Sequence, residues 1–346
     1  MIMYELLQRL SDAHGISGYE GDVRAIVEQE LESYGGIRVD APGNLIFTKK
    51  GTTPAIMLAA HLDEIGLAVR HIDDDGFLRF VKVGGWFDQT LLNQRVIVHS
   101  KEPCFGVIGS KPPHVMKEED RKKPVDARDM FVDVGASSAE EAGDMGIEIG
   151  TSISTDRNLE RLANNRVTGK ALDDRVGVAI LIEAMKRISD IEPTVHAVFT
   201  VQEEVGLKGA RTSAFGLNPD VAIAIDTGIA GDHPGITKSE SATAVGKGAV
   251  ITVMDAGGRG VITHPRVLEW LRETAKANKI AYQLDVSDGG TTDASAISLT
   301  REGIPSGVIS VATRYIHSPV EVLSLDDMES CIDLIVHAVG SASEWF

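Results

Sequence analysis

The chain has 346 residues, of which 43% are hydrophobic and 25% charged, and a formal net charge of −17; its length exceeds one ordinary domain and predicts a main core with a second domain or large insertion. The acidic balance argues against a nucleic-acid binder, which needs clustered Lys and Arg, and the dense basic stretch Lys117 to Lys123 is mixed in sign. No apolar run is long enough to cross a bilayer, the first residues lack a signal-peptide pattern, and Cys104 and Cys331 are too far apart for a closely spaced zinc or redox motif, so a cytoplasmic protein with no membrane partner is expected.

Two helices are predicted first, at Tyr4 to Ala13 and Glu20 to Tyr34, separated by the turn-prone Gly15 to Gly18. Strands follow at Asn44 to Lys49 and Ala55 to Ala60. The second is a continuous apolar run, the pattern of a strand buried on both faces of a mixed α/β sheet. From Gly66 to Asn164 the character changes to short alternating segments broken by Gly and Pro, which predicts a small β-rich insertion. The βα alternation then returns, with a helix at Ala171 to Ile188, strands at Thr194 to Val201, Val221 to Ile225 and Pro305 to Val311, and helices at Gly206 to Phe215, Pro265 to Asn278, Asp293 to Leu299 and Leu325 to Val339. The expected division is a discontinuous main domain, 1–66 and 164–346, around an inserted domain, 67–163.

The chemistry-bearing residues stand where these apolar strands end, the place where open α/β sheets build their sites. His61 follows the second strand, and in His61-Leu62-Asp63 the carboxylate can hold the second ring nitrogen of a metal-bound imidazole. Asp173 and Asp174 open a helix, where acids also favour the positive end of the dipole; one carboxylate at a loop–helix junction can bridge two cations, and Asp173 is the choice. Glu203 and Glu204 end the strand HAVFTVQEEVG, one suited to hold metal (Glu204) and the other to serve as general base (Glu203). Asp226 closes an apolar strand and reads as a ligand or a cap. His317, in RYIHSP, reads alone as a structural loop residue and with the others as a ligand. Together they supply the parts of a two-metal hydrolase.

The ordered set HLDEIG, GKALDDRVG, VFTVQEEVGLKGA, AIDTG, DGGTTDAS and RYIHSP closely resembles the M42 metallo-aminopeptidases, the tetrahedral aminopeptidases of archaea and bacteria, over essentially the full chain. The resemblance implies that His61, Asp173 and Asp226 hold one metal and Asp173, Glu204 and His317 the other, with Glu203 as general base and Asp63 as the partner of His61. It also implies a cis peptide at Asp173–Asp174 and a PDZ-like dimerisation domain for the insertion. Assembly is expected through dimers into a homododecamer. The expected substrates are peptides with a free N-terminus and the expected cofactors two divalent ions, zinc by the mixed donor shell, with cobalt or manganese also fitting.

Asp255, Arg259, His264 and Asp293 are candidates for substrate contact that surface charge or helix capping explains equally well. The alternatives to an aminopeptidase are another co-catalytic metallopeptidase or amidohydrolase, a glycoside hydrolase, and a metal-binding assembly protein. The length between HLD and the next Asp argues against the first of these.

Overall fold

The structure, a computed structural model, describes residues 2–189 and 191–346. Its centre is an eight-stranded mixed sheet in the order Gly36–Val39, Leu45–Lys49, Pro193–Thr200, Thr52–His61, Val221–Ile229, Ser306–Thr313, Ala249–Met254, Tyr282–Val286. The four strands from Pro193–Thr200 to Ser306–Thr313 run parallel. They are also the most apolar, because each is covered on both faces.

One face packs against helices Ile2–Asp12, Gly21–Leu31, Leu172–Arg187, Pro265–Ala277 and Leu325–Ser341, through residues such as Leu58, Phe199, Ile223, Ile309, Val176, Trp270 and Ile332. Their starts follow local rules: Ser324 accepts a hydrogen bond from the Asp326 amide, and Pro265 occupies the first turn of its helix behind His264. The opposite face meets Lys208–Leu217 and Asp293–Ser298 through smaller side chains, among them Ala59, Ala210, Ala214 and Ile297.

Chain between the strands Thr52–His61 and Arg166–Gly169 leaves the sheet. Six strands of it, Gly66–Ile72, Leu78–Val83, Arg95–Val98, Cys104–Gly109, Phe131–Asp133 and Ser152–Thr155, close into a barrel. The barrel has its own core, including Leu67, Val69, Leu78, Val96, Ile108, Val132 and Ile153. Alternation within short strands serves this geometry, since inward residues fill the barrel and outward ones face solvent.

The sheet exceeds the sequence expectation in three strands. Gly36–Val39 forms one edge, and Ala249–Met254 with Tyr282–Val286 the other, the former antiparallel to Ser306–Thr313. Among the described residues no helix is long and apolar enough to cross a membrane.

Candidate active site

The parallel strands end on one edge of the sheet and bring the distant motifs together. His61 is the last residue of its strand, Glu203 and Glu204 follow Thr200, Asp226 lies in register with Ser310, and His317 follows Thr313. Asp173 enters from the head of helix Leu172–Arg187, where it and Asp174 depart from helical dihedrals and are joined by a cis peptide.

Asp173 faces both imidazoles. Its Oδ1 lies 3.3 Å from His61 Nε2 and its Oδ2 3.4 Å from His317 Nε2. His317 Nε2 is also 3.2 Å from Glu204 Oε1. Two donor sets result, His61–Asp173–Asp226 and Asp173–Glu204–His317, each with ligand atoms within 4.8 Å of one another. Asp173 Oδ1 and Glu204 Oε1 are buried without a hydrogen-bond partner, an arrangement that fits a bound cation.

Both histidines are held by their other nitrogen. His61 Nδ1 lies 3.0 Å from the Asp63 carbonyl and His317 Nδ1 2.8 Å from that of Gly85. A carbonyl only accepts, so each Nδ1 carries a proton, which leaves each Nε2 as the atom that would ligate a cation or, without one, donate its own proton to the carboxylates. Gly85 belongs to the barrel segment, and its neighbour Trp86 anchors the bend by donating Nε1–H to the Gly66 carbonyl at 2.9 Å.

The electrostatics ask for positive charge. Burial raises the carboxyl groups of Glu203 and Asp226 well above their ordinary range, and neighbouring acids add to the effect. Burial alone would lower the two histidines, but the surrounding carboxylates outweigh it, lifting His61 well above its ordinary value and His317 to about 11. Imidazole nitrogens and carboxylate oxygens in these sets suit divalent cations of the zinc, cobalt and manganese kind. The residues present fit a metal-dependent centre.

Asp63 differs from expectation. Its carboxylate Oδ1 is 3.7 Å from His61 Nδ1 and receives no bond from the ring, which its own backbone carbonyl takes instead. The carboxylate accepts from the Glu203 and Glu204 amides at 2.9 and 3.2 Å and from Ser17 Oγ at 2.6 Å. Asp63 thus fixes the turn that carries the two glutamates. The chain turns immediately beyond the strand, which brings the carbonyl, not the side chain, over the imidazole.

Other acids support the centre without a clear local signature. Glu321 accepts from the amides of both Asp173 and His317 at 2.9 Å, and Asp174 accepts from the His61 amide at 3.2 Å. Asp293 is buried behind Glu203, receiving the Thr200 hydroxyl at 2.5 Å. His264, by contrast, caps its helix by accepting from the Arg266 amide. The metal-facing residues and Glu203 open into one cavity of about 940 Å³, also lined by Asp255, Arg259 and Asp285.

An α/β sheet with two overlapping histidine–carboxylate sets at its strand ends is the architecture of a metal-dependent hydrolase. A family model described as M42 glutamyl aminopeptidase matches residues 43–334, and the chain belongs to this family of aminopeptidases. It is 38% identical to a lysyl aminopeptidase of Pyrococcus furiosus, over 96% of each chain. Among solved structures, an aminopeptidase from the archaeon Desulfurococcus kamchatkensis superposes with a TM-score of 0.96 at 46% identity, covering 99% of this chain and 96% of that one. The TET1 peptidase of Pyrococcus horikoshii, which can assemble into a tetrahedron or a large octahedral shell, gives 0.89 at 37% identity, covering 98% of this chain and 99% of that one.

Proposed function

We propose that the protein removes N-terminal residues from peptides at a two-cation centre, with His61, Asp173 and Asp226 holding one ion and Asp173, Glu204 and His317 the other. The observation that carries this reading is the division of Asp173, one oxygen toward each imidazole. Bound divalent cations of this kind supply Lewis acidity, polarising a carbonyl and making water easier to deprotonate.

Glu203 is the general base. Its Oε2 lies 3.9 Å from His61 Nε2, close to the centre but outside both donor sets. Its raised pKa keeps it able to take a proton from attacking water and return it to the departing amine. Asp63 holds the Glu203 amide and so sets where that carboxylate points. The excess of carboxylates gives the cavity a negative wall for a free α-ammonium, which makes the reaction an exopeptidase one.

Residues 1–66 and 164–346 form the catalytic domain in this reading, and 67–163 a PDZ-like dimerisation domain. Exposed Phe105, Val107 and Val81 on the barrel strands support such a contact. The dodecamer and the tetrahedron formed by the Pyrococcus horikoshii TET1 peptidase support a homododecamer for this chain, built in this reading from dimers. Native mass spectrometry tests this, since Phe105→Glu should shift a large assembly toward smaller species.

The activity test uses peptides with free and N-acetylated termini. Metal-dependent release from the first and none from the second is expected, abolished by a chelator and restored by zinc, cobalt or manganese. Cellulase activity that survives the chelator, with no peptide hydrolysis, would sink the proposal.

A further inference from the structure

The wall of the cavity away from the metal-facing residues carries two carboxylates that the proposed reaction does not use. Asp255 is buried at 4% exposure. Its Oδ1 accepts from the Val261 amide at 2.5 Å, while its Oδ2 has no partner. Asp285 is in register with Thr252 across the edge strands, so both side chains lie on the same face of the sheet, and all three residues line the cavity. Burial raises both carboxyl groups, and Asp285 raises Asp255 further.

Among the described residues no Lys or Arg lowers either acid. Arg259 is the one Lys or Arg among the described residues lining this cavity, and it sits exposed with its Nε donating to the Ala256 carbonyl. The same cavity is lined by the hydroxyl side chains of Thr252, Ser287 and Thr291, polar company for a charged side-chain tip.

Spacing narrows the ligand. Asp285 lies three strand positions across the sheet from Asp226, roughly 14 Å between strand axes at the usual separation. Asp226 and Asp285 line the one cavity, and that span suits a long side chain with its charge at the tip. An apolar residue there would seal Asp255 away from water without a partner, and an acidic one would add a third negative charge.

We infer that this wall selects a cationic side chain on the residue being removed, so that lysyl and arginyl substrates are preferred. The inference rests on the aminopeptidase reading above.

Aminoacyl anilides of lysine, arginine, norleucine, leucine and glutamate, assayed with the metal-loaded full-length protein, test it. Norleucine matches lysine in chain shape but lacks the charge. The kcat/KM for lysine or arginine should exceed that for norleucine by at least about tenfold, the scale of one buried charge-assisted contact, with glutamate poorest. Asp255→Asn keeps an acceptor for the Val261 amide and Asp285→Asn is at a half-buried strand position; each should pull the lysine-to-norleucine ratio toward one. Free L-lysine should also raise the melting temperature of the metal-loaded protein more than L-norleucine does. Hydrolysis with lysine no better than norleucine overturns the inference and spares the aminopeptidase reading. No release from any substrate overturns that reading, and this inference with it.

Discussion

Two buried charged clusters diverge from the single motif HLDE, and they are built to opposite specifications. His61 faces the metal centre and Asp63 holds the turn that carries its glutamates; Glu64, the next residue, turns into a closed network. Glu64 receives Lys170 Nζ at 2.8 and 2.9 Å and the Gly15 amide at 3.0 Å, with Arg175 at 3.4 Å. Arg175 spends its other donors on the carbonyls of Leu62, Leu10, Ala13 and Gly15. None of these three side chains has a buried polar atom without a partner, whereas Asp173, Glu204 and Asp293 each do. The completed network holds the chain in place, and the incomplete one needs a cation and a substrate to finish it. The two are also joined, because Arg175 directly follows the Asp173–Asp174 pair.

The largest expected effect separates chemistry from folding. Glu203→Gln in the metal-loaded protein should lower kcat by about 10²- to 10⁴-fold, the usual worth of a positioned acid–base group, with metal content unchanged by elemental analysis. In metal-free protein the same change should raise the melting temperature, since it removes one acid from a crowd of unpaired ones. Near-normal turnover would remove Glu203 from the role of base.

Glu64→Gln should do the reverse. It leaves Lys170 and Arg175 buried without their carboxylate, and breaking such a group costs about 3–5 kcal/mol. Denaturant unfolding should show this loss with or without metal. If stability holds and only turnover falls, the two clusters are not the separate devices described above.

A smaller effect tests the link between barrel and centre. A Cβ at Gly85 would come within 2.9 Å of His317 Nδ1. Gly85→Ala should therefore shift that ring and weaken metal binding by about 10- to 100-fold, the range for losing a ligand's outer hydrogen bond. Titration of the metal-free protein with zinc measures it; unchanged affinity would mean that the ring tolerates the displacement.

The metal-facing residues were legible because each is a charged side chain at the end of an apolar run, and sequence order alone suggests that a sheet edge gathers them. Their supports were not. Glu64 and Lys170 are 106 residues apart, and Glu321 serves two backbone amides brought together only by the fold. Asp63 shows the limit of spacing: H-x-D is visible, but whether the carboxylate or the carbonyl reaches the ring depends on the turn after the strand. Ala249–Met254 is an apolar run like the strands that were expected, yet Tyr282–Val286 beside it is an edge strand with Leu284 and Val286 exposed, which blurs the alternation that marks a half-buried strand.

The clusters should also differ in the sign of their pH dependence. Asp293, behind Glu203 at the edge of the metal centre, is raised by burial from 3.8 to about 6. Between those values the folded protein keeps a proton that the unfolded chain has released, so its contribution to stability is lost as pH rises through about 6. His14 hydrogen-bonds Ser154 beside the closed network, and burial, with Lys170 next in importance, lowers it from 6.5 to about 4. Here the unfolded chain takes up a proton that the folded protein refuses, so stability is lost as pH falls from 6.5 through about 4. Chemical denaturation of chelated protein from pH 4 to 7 should show both slopes, with Asp293→Asn reducing the loss at the high end, to which Glu203 and Asp226 also contribute, and His14→Gln reducing the loss at the low end. Zinc should suppress the Asp293 slope alone, because an added cation favours the ionised carboxylate and stays remote from His14; equal suppression of both would mean that the closed network also answers to the metal.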